Sequence, residues 1–195
     1  MAATKRDAIR DAALALFAEK GVDATSTREI AERADTAEGN IYRHFKGKDD
    51  LVRSLFEECA RQFHEVLTRT AESASEPRER LRRLVEGIFA FADEHPQAFA
   101  YLLSIHQNVL QRIELEREPL PMQLFTETLR AGIEAGQFRA VPPVLATGWI
   151  VGMTQRAIVL HRSGLPSMPL PDVMETTTDA ALRLLAPGTS TEHAD

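Results

Sequence analysis

Between residues 25 and 48 the chain gathers side chains suited to gripping a polyanion. Thr25-Ser26-Thr27-Arg28 places three hydroxyls and a guanidinium in succession. Hydroxyls beside the free amides of a helix N-terminus make a ready phosphate site. Further on, Gly39-Asn40-Ile41-Tyr42-Arg43-His44-Phe45-Lys46-Gly47-Lys48 brings amide, aromatic and basic groups together. Tyr42 and His44, two residues apart, have polar tips that can hydrogen-bond the oxygens of a nucleic-acid backbone. Lys48 falls in the first turn of the next helix, where a cation opposes the helix dipole. A phosphate bound at that spot resolves the conflict.

Two short helices and a tight turn must position these groups. Ser26-Thr27-Arg28-Glu29 has the form of a capping box, with Ser26 at the N-cap and Glu29 reaching back. Ile30, Ala31 and Ala34 then form an inner face. The second short helix covers about residues 38–44 and turns Ile41 and Phe45 to the core. This is the arrangement a helix-turn-helix needs if its second helix is to enter the major groove while its ends grip phosphates. In front lies a helix over residues 5–20, with Ile9, Ala12, Ala13, Leu16 and Phe17 on one stripe and Gly21 as its stop.

Residues 17–51 closely resemble the DNA-binding domain of the tetracycline-repressor (TetR) family of transcriptional regulators. The resemblance rests on the Gly39–Phe45 string followed by Lys46-x-Lys48-Asp49-Asp50-Leu51. It implies that Thr27, Tyr42, His44 and Lys48 contact phosphates, and that Arg28, Glu38, Asn40 and Arg43 face base edges. Arg suits guanine O6/N7 and Asn suits adenine N6/N7, whereas an acid such as Glu38 repels phosphates and equally suits a solvated face. Two positions depart from the family pattern. Asp35 stands where the turn usually offers glycine, and Ala37 where a serine caps the following helix, leaving Thr36 to cap or the helix to start unassisted.

The remaining chain is helical almost throughout, with no convincing alternating strand. Gly47 precedes a long fourth helix, with Asp49 and Asp50 in its first turn and a stripe from Leu51 to Leu67. Pro77 opens a fifth, broken by His95-Pro96. A sixth carries Phe99, Leu102, Leu103 and His106, and a seventh carries Met122, Phe125, Leu129 and Ile133. The eighth follows Pro142-Pro143 and is apolar around most of its circumference, so neighbours should enclose it. Asp172-Val173-Met174-Glu175 resembles a capping box opening a ninth. The expected fold is all-α, about nine helices: a three-helix DNA-binding domain over residues 1–47, a ligand-binding and dimerisation domain over 48–187, and a disordered tail over 188–195.

The second domain shows no catalytic or metal signature: no His-Glu-x-x-His, cysteine pair, glycine-rich phosphate loop or GxSxG elbow. No cofactor is expected. Its surplus of large apolar residues reads as core, residue by residue, but the family resemblance implies a cavity for a small, mainly hydrophobic effector. Phe89, Tyr101, Leu102, Phe125, Leu129, Trp149 and Met153 are candidate walls, and His106, Gln107, Gln155 and Arg156 polar handles, with the Tyr101 hydroxyl and Trp149 indole among them. Gly148 and Gly152 on helix eight, with Ala180 and Ala181 on helix nine, would let a second copy approach closely, giving a homodimer suited to a palindromic operator.

Bulk composition is consistent. Residues 1–48 hold nine Lys/Arg against eight Asp/Glu, including all four lysines, and the rest hold fourteen against twenty-one. The net charge of −6 argues against a general nucleic-acid coat and leaves DNA attachment to a local basic surface. The single cysteine, Cys59, excludes an internal disulfide and lies on an apolar stripe. No export signal opens the chain, and the longest uncharged run is too short to span a bilayer. A cytoplasmic protein with no membrane partner is expected, a repressor first. A DNA-binding activator or architectural protein without an inducer, and a helical small-molecule enzyme, are the alternatives.

Overall fold

The computed structural model describes residues 4–105, 109 and 121–187. Among them are nine α-helices and no strand. They are α1 (Lys5–Lys20), α2 (Thr27–Arg33), α3 (Gly39–His44), α4 (Lys48–Ala71), α5 (Pro77–Glu94), α6 (Pro96–Ser104), α7 (Pro121–Glu134), α8 (Pro143–Arg162) and α9 (Leu170–Leu184). His106, Gln107 and the tail over 188–195 lie outside the described residues.

Local chemistry accounts for most boundaries. Thr4 and Asp7 form a capping box at the start of α1, and Gly21, at φ +84°, ends that helix with its N–H on the Phe17 carbonyl. Ser26 and Glu29 form the expected box on α2. Asp35 takes the left-handed conformation, φ +48°, so the turn keeps its shape without glycine. α3 begins at Gly39 with no side-chain cap: neither Thr36 nor Ala37 serves. α9 starts at Leu170, two residues before the Asp172 box, because Pro169 and Pro171 carry the φ that a first helical turn requires. Asp172 therefore sits in the first turn instead of at the N-cap.

The chain forms two compact units. One contains residues up to Gln62 together with Glu94–Glu118, the other Phe63–Asp93 together with Pro119–Asp195. Packing thus divides the chain differently from the expected functional boundary at residue 47. The first unit keeps the beginning of α4 and adds α6, which packs on α1. Its core holds Ile9, Phe17, Ile30, Ile41, Phe45, Leu51 and Tyr101. The Phe17 and Tyr101 rings stack at 5.7 Å, and the Tyr101 hydroxyl donates to the Val52 carbonyl at 2.9 Å. Cys59 is buried, and burial pushes its thiol pKa up to about 12 against the opposing pull of Arg10.

In the second unit Phe63 meets Phe91 at 4.7 Å, and α8 packs on α7 and α9. Gly87 of α5 lies against α4: a Cβ there would meet Thr70 Oγ1 at 2.6 Å and Leu67 Cδ2 at 2.9 Å. Thr128, Thr147, Thr154 and Thr177 are buried with their hydroxyls on the carbonyl one turn earlier. That leaves their methyl groups to pack. α8 is longer than its uncharged run suggested. At 20 residues and a mean hydropathy of 1.2 it is long and apolar enough to cross a membrane by length and composition, yet its buried face meets neighbouring helices.

Candidate nucleic-acid interface

Ile41 and Phe45 are buried, and that fixes which side of α3 faces outward. Tyr42, Arg43 and His44 stand exposed, Tyr42 at 57%. The helix is held from behind by α1. Arg6 lies 5.2 Å over the Phe45 ring. α2 is pinned to α1 by Lys20–Glu29 at 2.5 Å and by a two-pronged Arg33–Glu19 contact at 2.8 and 2.7 Å. Hydrogen bonds from Lys20, then from Ser26, lower the Glu29 pKa to about 2. Arg10 pairs with Glu58, tying α1 to α4.

Five of the expected DNA-facing residues, Thr27, Arg28, Glu38, Asn40 and Arg43, already hold partners within the protein. Thr27 Oγ1 donates to Glu38 Oε1 at 2.5 Å, so the hydroxyl assigned to a phosphate is held by the acid assigned to a base. Arg28 bonds Glu32 at 3.0 Å, one turn along an exposed helix face. Asn40 Nδ2 donates to Thr36 Oγ1 at 2.7 Å, and Arg43 Nη1 donates to Asn40 Oδ1 at 3.3 Å. Lys48 is the first residue of α4.

Asp50 has a role that sequence reasoning missed. Expected only as an acid complementing the dipole of α4, it accepts the Lys46 N–H at 2.9 Å and the Arg53 guanidinium at 2.5 Å. These bonds, the backbone one foremost, hold its carboxyl below the usual carboxylate range. The segment carrying Lys46 and Lys48 is thereby fastened to the helix that follows. An acid in a first helical turn, four residues after a turn lysine, was the available signal. Thr36, expected as a possible cap, is the second miss, since its hydroxyl receives Asn40.

The residues expected around an effector are distributed between the units. Tyr101 and Leu102 belong to the first, where Tyr101 is buried with its hydroxyl spent on Val52. In the second, Phe125 and Leu129 are fully buried, Met153 is half-buried, and Arg156 is exposed. Trp149 is 38% exposed, with the Arg139 guanidinium 5.9 Å from its ring centre. Phe89 lines a cavity of about 170 Å³ with Ala92, Asp93, Ile158, His161, Arg162 and Leu170. Arg162 donates to the Ala92 carbonyl beside it, and the buried Nδ1 of His161 has no hydrogen-bond partner.

Residues 9–55 match the family described as bacterial regulatory proteins, tetR family, and residues 74–159 match the tetracyclin repressor-like C-terminal domain. The chain is 30% identical over 134 residues to the fatty acid metabolism regulator protein of Bacillus subtilis, an alignment covering 67% of this chain and 69% of the relative. It is 28% identical over 148 residues to the transcriptional repressor KstR2 of Mycobacterium tuberculosis, covering 70% of each. Among solved structures, the fatty acid degradation regulator FadR of Bacillus halodurans superposes over the whole of both chains with a TM-score of 0.72 at 23% identity. FadR of Bacillus subtilis, in complex with stearoyl-CoA, gives 0.69 at 22% identity over 92% of this chain and 96% of its own. Regulators of this kind bind DNA operators, dimerise and take small-molecule ligands. With an outward helix-turn-helix in place and a relative matched at this identity and coverage, the chain belongs to the TetR family and is a DNA-binding transcriptional regulator.

Proposed function

We propose that this protein is a cytoplasmic repressor, without catalytic activity, that holds a palindromic operator as a homodimer and releases it when a small, mainly hydrophobic molecule binds. The observation that carries the reading is the exposed face of α3, with Tyr42, Arg43 and His44 outward over buried Ile41 and Phe45. Tyr42, His44, Lys48 and Thr27 take phosphates, while Arg43 and Arg28 reach bases. Thr27 must leave Glu38 to do so, and Arg28 must leave Glu32. The second is a cheap exchange, because an exposed i,i+4 pair contributes about 0.3–0.5 kcal/mol.

Dimerisation is proposed through α8 and α9. Leu145, Gly148, Trp149, Gly152, Arg156 and Leu160 form one exposed stripe on α8, and a Cβ at either glycine would meet nothing within 4 Å. A stripe of this kind, apolar apart from Arg156, suits burial against its own symmetry mate. On α9, Ala180 is exposed and available to such a contact, whereas Ala181 is already in the core.

The effector reading rests on the apolar second unit and on the relatives named for fatty acid metabolism, one of them bound to stearoyl-CoA. An acyl chain is the class we favour. The cavity of about 170 Å³ beside Phe89 resembles in size one that holds a single benzene. A long chain would need either further space or an opening of the unit. The test is a fluorescence-anisotropy titration of the operator complex with stearoyl-CoA and, separately, with free CoA. A coupling of about 1–3 kcal/mol predicts a roughly 5- to 150-fold weaker operator affinity with the acyl compound alone. An unchanged affinity with both, at saturating ligand, removes acyl compounds as the effector.

A further inference from the structure

The contacts around Asn40 separate two roles that residue type alone leaves merged. A bidentate adenine contact needs both the carbonyl oxygen and the amide nitrogen of an asparagine. In this chain both atoms already hold a protein partner, which fixes the amide plane and leaves one N–H and one lone pair for anything else. Nδ2 donates to Thr36 Oγ1 at 2.7 Å, and Oδ1 accepts from Arg43 Nη1 at 3.3 Å. Asn40 is half-buried, and Arg43 stands exposed one turn further along α3. Thr36 is itself fixed, its N–H donating to the Ala31 carbonyl at 3.0 Å across the turn from α2. A chain of contacts therefore runs from the end of α2 through Thr36 and Asn40 to the guanidinium of Arg43.

A guanidinium has five N–H donors in a rigid fork. One N–H given to Asn40 leaves enough to meet guanine O6 and N7 together, the commonest specific contact in a major groove. An unrestrained arginine would have to lose several rotatable bonds' freedom when it reached the base. Tethering its guanidinium through Nη1 in advance reduces that loss.

Resting on the DNA-binding reading above, we propose that Asn40 is a positioning residue that, anchored by Thr36, sets the reach of Arg43. Discrimination at this step of the operator half-site belongs to Arg43, with guanine as its target. Thr36, which touches no base, is thereby a determinant of specificity.

The test is selection from a randomised duplex library with the full-length protein and with Arg43→Ala, Asn40→Ala, Thr36→Val and Thr36→Ser, each checked for an unchanged helical melt. Wild type should prefer guanine at one base pair per half-site by about 5- to 150-fold. Arg43→Ala should erase that preference. Asn40→Ala and Thr36→Val should relax the same base pair, Thr36→Ser should retain it, and Asn40→Ala in the Arg43→Ala background should change it no further. Relaxation at a different base pair by Asn40→Ala, with the guanine retained, would show Asn40 reading a base of its own and overturn the proposal. Uniform weakening without any change of preference in both Asn40→Ala and Thr36→Val would also overturn it. Absence of any salt-sensitive duplex binding by wild type is a separate outcome, which would overturn the DNA-binding reading itself.

Discussion

At Thr27, where the family resemblance implies a phosphate contact, the structure gives the hydroxyl an acid: Glu38 accepts its hydrogen bond at 2.5 Å. A carboxylate on a DNA-facing surface acts as an internal rival of the phosphate. Coulomb repulsion between unit charges about 4 Å apart in water is about 1 kcal/mol. Glu38→Gln should therefore tighten binding to any duplex by roughly fivefold, measured as a shift of the binding isotherm at one fixed salt concentration. Unchanged or weaker affinity would show Glu38 to be contributing a contact of its own. Asp35 supplies a backbone prediction. It holds φ +48° without being glycine, and a β-branched residue there is strained. Asp35→Val should lower stability by about 1–2 kcal/mol in urea unfolding, with Asp35→Gly close to neutral. Glu29 makes a prediction in pH. Its pKa falls from 4.5 to about 2, first through Lys20, so the folded state binds fewer protons than the unfolded one between those values. The stabilisation is present above about pH 4.5 and is lost as pH falls toward 2. Stability curves of wild type and Glu29→Gln should differ at pH 6 and converge toward pH 2.

Helices were largely readable from the chain because their ends are local chemistry. The Ser26–Glu29 box, the glycine stop at Gly21 and the proline starts of α5 and α8 lie within one turn of what they control. Where two local signals competed, at Asp172 and the flanking prolines, the prolines won, because a fixed φ acts before any side-chain bond forms. The candidate site was readable by residue type and not by partner. Tyr42 and Lys48 announce a phosphate surface, but nothing in their spacing reveals that Asn40 bonds Thr36 or that Thr27 bonds Glu38. Tyr101 shows the same limit at longer range. Its pairing with Phe17 and Val52 spans tens of residues, and an aromatic on an apolar stripe looks alike in a core and in a pocket wall. One close helix approach gives a direct test. A methyl at Gly87 would meet Thr70 and Leu67 below van der Waals contact, so Gly87→Ala should lower stability by about 1–3 kcal/mol, read as the midpoint shift in urea unfolding.

For the molecule as a whole, the exposed stripe on α8 governs assembly. Replacing Leu145 by Arg puts a second charge, in addition to that of Arg156, on a surface otherwise made of leucine, glycine and tryptophan. In sedimentation-velocity runs, Leu145→Arg should shift the protein from dimer to monomer without changing its helical content. Its affinity for a full palindrome should fall toward that for a single half-site. A dimer that persists in this variant would move the interface elsewhere.

The first unit is discontinuous in sequence: α5 is made between α4 and the α6 that completes the core around Phe17. During synthesis the ribosome must therefore extrude residues well past α4 before the operator-reading half can finish folding. A nascent chain stalled at residue 62 leaves the Phe17 ring without the Tyr101 ring that stacks on it, and so an apolar surface uncovered.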